Sequence, residues 1–191
     1  MDGLYDSLQA LQVLLKSKHI ESAAIGALAV AAWGVARLTS DVDVKVSVHR
    51  DEAELLLSTL KERYTPLLQD DPAWQIRQSG LLFLRDAGGH RIDVMLCDTS
   101  FDVAAIERAQ DLEVRPGLVV RVCSPEDLIV YKLVSTRARD HEDAQSVIRR
   151  QGHFLDETYV VGWLQQFEAA LDDSTLVEAF RAALRRSRKK T

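Results

Sequence analysis

The stretch that decides the fold is Thr39-Ser40-Asp41-Val42-Asp43-Val44-Lys45-Val46. From Asp41 onward, charged and apolar residues alternate with the period of two that is typical of a half-buried β-strand. The valines should therefore face the core, while the two aspartates and the lysine share the other face. Carboxylates two residues apart on a strand lie roughly 6–7 Å from one another at the backbone. Because they repel unless a cation lies between them, the pattern predicts a site for a hard divalent cation such as Mg²⁺. An edge strand with a solvated acidic face is the alternative.

The residues just upstream predict a site for an anion. Ala23-Ala24-Ile25 has the composition of a short apolar strand, Gly26 interrupts it, and a small-residue helix should follow from Ala27 to Trp33. The free N–H groups and the dipole at a helix N-terminus attract phosphate. Strand, glycine turn and helix start together therefore predict a phosphate cradle.

The residues of this region form one motif, made of Gly26-Ala27-Leu28-Ala29, Gly34, Arg37, Thr39, Asp41 and Asp43. It resembles the first motif of the nucleotidyltransferase superfamily to which DNA polymerase beta belongs, and most closely its small bacterial branch similar to the AbiEii-type toxins. Many members carry Gly-Ser at the turn, whereas Ala27 stands at the serine position here, so a hydroxyl contact to the triphosphate is missing. The resemblance implies transfer of a nucleoside monophosphate from an NTP such as ATP to an acceptor, with release of pyrophosphate.

A third acid is predicted on a later strand. Residues 91–97, Arg-Ile-Asp-Val-Met-Leu-Cys, alternate in polarity, and they should form a hairpin with the apolar residues 81–84. In the resembled family a third acid arrives on such a strand. The resemblance thus implies that Asp41, Asp43 and Asp93 are the catalytic residues and the ligands of two Mg²⁺ ions. Asp93 could alternatively be no more than an ion-pair partner of Arg91 or another base.

The resemblance also implies contacts to the nucleotide. A family lysine on a helix, followed by an Arg-Asp segment, matches Lys132 and Arg139-Asp140. Lys132 is the only charge in the apolar helix 128–134, so it must reach water or an anion. Asp140 could instead be the N-cap of the next helix, with Asp143 completing a capping box. The implied nucleotide-binding residues are Gly26, Ala27, Arg37, Thr39, Lys132 and Asp140.

Composition narrows the class of protein. The 191 residues are 47% hydrophobic and carry a net charge of −5, which is ordinary for a globular protein and argues against a general binder of polyanions. No apolar run reaches the ~18 residues of a membrane span and no signal peptide is recognisable, so we expect a cytoplasmic protein without a membrane partner. Cys97 and Cys123 should be buried free thiols. The basic stretch 185–190 is either a frayed helix end or a contact for tRNA or other RNA.

We therefore predict an α/β fold, with a small mixed, largely antiparallel sheet backed by helices and an all-helical C-terminal part. The expected domains are a nucleotidyltransferase core over residues 1–151 and a helical cover over residues 152–191. A helix is expected from Arg50 to about Tyr64, and a loop between Pro66 and Pro72.

The sequence leaves function open in two respects. A nucleotide-binding regulatory module with a degenerate site and a metal-dependent phosphohydrolase are the alternatives to a transferase. The acceptor of a transferase could be tRNA, a protein or a small molecule. If the chain is a toxin, an antitoxin protein would be its partner.

Overall fold

The computed structural model describes residues 2–68 and 70–188. Within these residues the helices are α1 (Asp2–Ser17), α2 (Gly26–Trp33), α3 (Ala53–Lys61), α4 (Pro72–Ser79), α5 (Ser100–Glu107), α6 (Pro125–Val134), α7 (Ala138–Gln151), α8 (Glu157–Leu171) and α9 (Leu176–Arg188). The strands are β1 (Ser22–Ala24), β2 (Asp41–Val46), β3 (Thr65–Pro66), β4 (Leu81–Arg85), β5 (Arg91–Leu96), β6 (Gln110–Arg115) and β7 (Leu118–Val122). Short 3-10 turns lie at Arg50–Glu52 and Gly152–Phe154.

All strands of the described residues belong to one mixed sheet, in the order β3-β4-β5-β2-β1-β7-β6. The pairs β1–β2, β3–β4, β4–β5 and β6–β7 are antiparallel, whereas β1–β7 and β2–β5 are parallel. The prediction of a mixed, largely antiparallel sheet is therefore confirmed. The parallel pair at its centre joins the two strands that carry the predicted acids.

The alternation of polarity along β2 and β5 decides which side chains enter the core. Val42, Val44 and Val46 are 0% exposed, as are Ile92 and Val94 of β5. Helix α1 packs against β1, β2 and β7 and contributes a row of buried leucines to the same unit. This apolar burial fixes the other face of both strands as the face that carries the charged residues.

The described residues form two compact units. The first lies within residues 2–28 and 38–123 and contains the whole sheet, and the second lies within residues 29–37 and 124–188. The predicted helical C-terminal part, residues 152–191, contains α8, α9 and a short 3-10 turn, and no strand among the residues that the structure describes. Within the second unit α6 and α7 pack against α8 and α9. The division into a core over residues 1–151 and a cover over residues 152–191 stays a prediction.

Among the described residues, α4 and α6 both begin with a proline in the first turn. Ser124 caps α6 by accepting a hydrogen bond from the Asp127 N–H, and Pro125 follows it. Asp71 caps α4 in the same way by accepting from the Trp74 N–H, with Pro72 next. The expected loop between Pro66 and Pro72 agrees with the structure, since β3 ends at Pro66 and α4 begins at Pro72.

Cys97 and Cys123 are buried thiols that form no disulfide, as predicted. Burial raises the pKa of the Cys97 thiol to about 12, and the negative charge of Asp102 adds to this shift.

The first helix after β2 is shorter than expected, because a 3-10 turn at Arg50–Glu52 precedes α3 and α3 ends at Lys61. No helix of the described residues combines the length and the apolar character that crossing a bilayer requires.

Candidate active site

The three predicted acids lie on neighbouring central strands. In the parallel register of β2 and β5, Asp41 is opposite Arg91 and Asp43 is opposite Asp93. Paired residues point to the same face of a sheet, and neighbouring strands lie about 4.8 Å apart. All three carboxylates are half-buried, whereas the residues between them are fully buried. The structure thus brings Asp41, Asp43 and Asp93 together on one face.

Gly26 makes room for Asp43. A Cβ added at Gly26 would lie 1.7 Å from Asp43 Oδ2 and 2.4 Å from its Cγ, which no side chain tolerates. The backbone N–H of Ile25 donates to the Asp43 carbonyl at 3.0 Å, which ties the turn to β2. We predicted Gly26 for its bare backbone near phosphate. The structure shows a second reason why this position requires glycine, namely the close approach of the Asp43 carboxylate. Ala27, the next residue, is buried.

Thr39 holds Asp41. Its hydroxyl donates to Asp41 Oδ1 at 2.5 Å, so one carboxylate oxygen is fixed by a side chain two residues earlier. The sequence motif implied a nucleotide contact for Thr39. The hydrogen bond observed here instead makes Thr39 a positioning residue for an acid, and the nucleotide contact stays a prediction.

Arg91 lies among the acids and was missing from the predicted site. It donates through Nε to Asp93 Oδ1 at 2.7 Å and through Nη2 to Asp93 Oδ2 at 2.8 Å. Its guanidinium carbon also lies 4.7 Å from the centroid of the Phe83 ring. The hydrogen bonds to Asp93 raise the pKa of Arg91 above its ordinary value, and the charges of Asp41 and Asp43 add to the effect. The alternative that Asp93 pairs with Arg91 therefore describes this structure.

The three carboxylates are suitable ligands for a hard divalent cation, although in this structure they do not converge on one point. Carboxylate oxygens are the ligands that Mg²⁺ prefers, and three of them share a face here. Among residues 2–68 and 70–188, no group of three His, Cys, Asp or Glu side chains is arranged to hold a metal ion. In this structure the Arg91 fork engages both oxygens of Asp93.

A second charged cluster lies within the second unit and is built on α6 and α7. The buried Lys132 Nζ lies 2.5 Å from Asp140 Oδ1 and 3.1 Å from Asp143 Oδ2. Arg37 forms a fork on Asp143, with Nε 3.1 Å from Oδ1 and Nη2 3.1 Å from Oδ2. The anion that the sequence required for Lys132 is thus supplied by α7, and the phosphate contacts of Lys132 and Arg37 stay predictions.

Asp140 is a partner of Lys132 and not a helix cap. Helix α7 begins at Ala138 with Arg137 at the N-cap, and no side chain caps it. The reading of Asp140 as N-cap and of Asp143 as its capping-box acid is therefore wrong. Burial alone would raise the pKa of Asp140. The hydrogen bonds from Lys132 and Ser135 outweigh burial and hold that pKa below its ordinary value of 3.8. The nucleotide contact of Asp140 stays a prediction.

The basic C-terminal stretch is partly neutralised inside the second unit. Arg185 pairs with Glu178, and Arg188 pairs with Glu157. The predicted basic residues Lys189 and Lys190 lie outside the described residues. A contact of this stretch with RNA stays a prediction.

Comparison with solved structures identifies the fold. An antigenic nucleotidyltransferase-like protein from Paracoccidioides brasiliensis is 19% identical, with 93% of each chain covered and a TM-score of 0.54. The antibiotic-resistance factor ANT(2'')-Ia is 15% identical, with 90% of this chain and 97% of that chain covered and a TM-score of 0.56. It has also been solved in complex with adenylyl-2''-tobramycin.

A further similar structure is the lincosamide antibiotic adenylyltransferase LnuA with bound lincomycin, at 11% identity, 74% and 94% coverage and a TM-score of 0.50. No protein-family model and no curated protein matches the sequence. At these identities the likeness concerns the fold, and the predicted nucleotidyltransferase fold is confirmed. The narrower AbiEii-type branch stays a prediction.

Proposed function

We propose that this chain, which has the nucleotidyltransferase fold, is a Mg²⁺-dependent transferase. It moves a nucleoside monophosphate from an NTP such as ATP to an acceptor hydroxyl and releases pyrophosphate. The observation that carries the proposal is the parallel register that pairs Asp43 with Asp93 and leaves Asp41 on the same face. Three acids on one face repel one another. Arg91 pairs with Asp93 in this structure, and a divalent cation would turn the remaining repulsion into binding.

The acids would hold the metal ions, and their neighbours would hold the acids. Asp41 and Asp43 are the proposed ligands of the ion that accompanies the triphosphate, and Asp93 is proposed to share in the second ion. When bound, the two ions would polarise the reacting phosphate and stabilise the charge on the leaving pyrophosphate. Thr39 orients Asp41 through its hydrogen bond at 2.5 Å. Gly26 leaves the space that Asp43 occupies.

The remaining chemistry needs a base and a site for the phosphates. Asp93 would accept the proton of the acceptor hydroxyl on a carboxylate oxygen, which requires that this oxygen be free of Arg91. The N–H groups at the start of α2, on Gly26 and Ala27, would bind the phosphates. Arg37, Lys132 and Asp140 are proposed to come into contact with nucleotide only after their present ion pairs rearrange.

The acceptor is proposed to be a small hydroxyl-bearing molecule. The support is the likeness of fold to structures that hold lincomycin or adenylyl-2''-tobramycin. Transfer to tRNA or to a protein, and a pairing with an antitoxin, are the other acceptor and partner hypotheses. A screen of the four NTPs against tRNA, cell lysate and a panel of small polyols would separate the acceptors.

The test of the reaction class uses γ- and α-labelled NTPs with Mg²⁺. We expect pyrophosphate to be released, and the α-label to appear on the acceptor. Release of inorganic phosphate alone would identify a phosphohydrolase, and binding without turnover would identify a regulatory module. Asp43→Asn should abolish turnover, whereas Asp51→Asn, the same change at an exposed position away from the acids, should not.

A further inference from the structure

We propose that Arg91 is a built-in counter-cation which must release Asp93 before metal can bind there. In the metal-free protein the guanidinium neutralises the acidic face, and metal ions compete with it for the same carboxylate. The inference rests on the proposed function, because it concerns the site at which Mg²⁺ is proposed to act. The inference goes beyond the proposed function because it assigns to one side chain, that of Arg91, the role of limiting the metal affinity of the site.

The register of β2 and β5 puts Arg91 where a cation is most stabilised. Arg91 stands opposite Asp41 and two residues before Asp93 on the same face. It forms a fork on both oxygens of Asp93, at 2.7 and 2.8 Å. Paired hydrogen bonds of this kind are the stronger class of arginine–carboxylate contact. The charges of Asp41 and Asp43 also attract Arg91, more weakly than Asp93 does.

A second contact determines where the guanidinium rests. Phe83 of β4 is opposite Asp93 in the antiparallel pair of β4 and β5. The guanidinium carbon of Arg91 lies 4.7 Å from the centroid of the Phe83 ring, within the range of a cation–π contact. Asp93 and Phe83 thus hold the guanidinium from two sides, which makes the paired position of Arg91 a defined state and not one of many surface rotamers.

Arg91 is more exposed to solvent than Asp93, and this difference permits Arg91 to leave Asp93. The side chain of Arg91 is 45% exposed, whereas that of Asp93 is 13% exposed. The arginine can therefore move into solvent while the aspartate stays on the sheet. Since a guanidinium and a divalent cation repel one another, both cannot neutralise Asp93 at close range. Metal binding then requires the loss of the fork, and the stability of the fork lowers the apparent metal affinity.

The experiment measures binding of Mn²⁺ alone, by electron paramagnetic resonance and calorimetry, without nucleotide. Arg91→Gln should bind Mn²⁺ about tenfold more tightly than the parent, a change that corresponds to about 1.4 kcal/mol. Arg91→Lys keeps the charge and loses the fork, so its affinity should lie between the two. The matched control is Arg50→Gln. Arg50 forms a similar fork on Asp98, at 3.0 and 2.7 Å, with its side chain 40% exposed, and its loss should leave Mn²⁺ affinity unchanged.

A thermal melt provides the second readout. In chelator, Arg91→Gln should melt below the parent because its three acids have lost their counter-cation, and saturating Mn²⁺ should close that gap. Equal or weaker Mn²⁺ binding by Arg91→Gln and by Arg91→Lys would overturn the inference. If the Arg91 variants bind Mn²⁺ no more tightly than the parent and Asp43→Asn no longer binds it, the proposed metal site stands. Only the role of Arg91 is then refuted. A parent that binds no Mn²⁺ would overturn the metal site and this inference together.

Discussion

Replacement of Gly26 by alanine tests the geometry of the acidic face most directly. The new Cβ would lie 1.7 Å from Asp43 Oδ2, 2.4 Å from its Cγ and 2.7 Å from its Cβ. Rotation of the carboxylate relieves the first two overlaps and cannot relieve the third. The start of α2 or the backbone of β2 must therefore shift, and Asp43 must shift with it.

Two opposing effects set the size of the change in stability. Alanine favours a helix over glycine by at most about 1 kcal/mol. Forcing a methyl group into filled space costs about 1–3 kcal/mol. We expect a net loss of about 1–2 kcal/mol, which lowers the melting temperature by roughly 2–4 °C for each kcal/mol in a chain of this size. The effect on turnover should be larger, since a misplacement of about 1 Å costs about a hundredfold in rate.

The matched control is Gly162→Ala. A Cβ at Gly162 would meet nothing within 4 Å, and this glycine lies inside α8, so the same substitution should stabilise the protein by about 0.5–1 kcal/mol. The assays are urea unfolding and pyrophosphate release from NTP with Mg²⁺. A Gly26→Ala variant that turns over at the parent rate, or that gains stability as Gly162→Ala does, would refute the packing of Asp43 against this glycine.

Other consequences can be measured in the same way. Asp43→Asn should retain the fold, with a melting temperature equal to or above that of the parent in chelator, because it relieves repulsion between like charges. Lys132→Met should lower the free energy of unfolding in urea by about 3 kcal/mol, because it leaves the buried Asp140 and Asp143 without their shared cation. The pKa of Asp140 lies below 3.8, so its ionised form stabilises the fold at neutral pH and this contribution is lost as the pH falls below 3.8. Asp140→Asn should therefore flatten the acid limb of the stability curve. With its pKa raised to about 12, Cys97 should resist iodoacetamide at pH 8 until urea unfolds the protein, as mass spectrometry would report.

The acids could be predicted from the sequence because strand alternation is a local signal. Asp41, Asp43 and Asp93 each alternate with apolar residues along a strand, and this alternation alone puts them on the polar face. Which strands are neighbours is a long-range property, and nothing near Asp43 in the sequence indicates that Asp93 lies beside it. The place of Arg91 among the acids depends on the same register of β2 and β5. The sequence therefore suggests Arg91 as a partner of its neighbour Asp93, but it does not show that Arg91 also lies near Asp41 and Asp43.

The charged cluster of the second unit was only half predicted. A lysine in an apolar helix needs an anion, and this reasoning held for Lys132. The cap alternative for Asp140 fails because an acid ahead of a run of polar residues has the pattern of an N-cap, whereas this carboxylate accepts a hydrogen bond from Lys132. Asp140 and Asp143 are three residues apart, so they share a helix face. That spacing was the available signal that both acids could reach one lysine. Helix α4 begins where the sequence analysis predicts only the end of a loop, although Asp71-Pro72 has the same cap-and-proline form as Ser124-Pro125.

The register of β2 and β5 also governs how errors in folding affect activity. Asp43 and Asp93 are far apart in sequence, and they meet only when both strands have paired. A slip of one residue would send Asp93 into the core and bring Ile92 or Val94 out beside Asp43, so a misregistered molecule would lose its apolar packing and its acidic pair at once. Catalytic competence in this protein should therefore appear in the same kinetic step as the finished core. Insertions in the turn at residues 86–90 should be tolerated far better than any insertion inside β5.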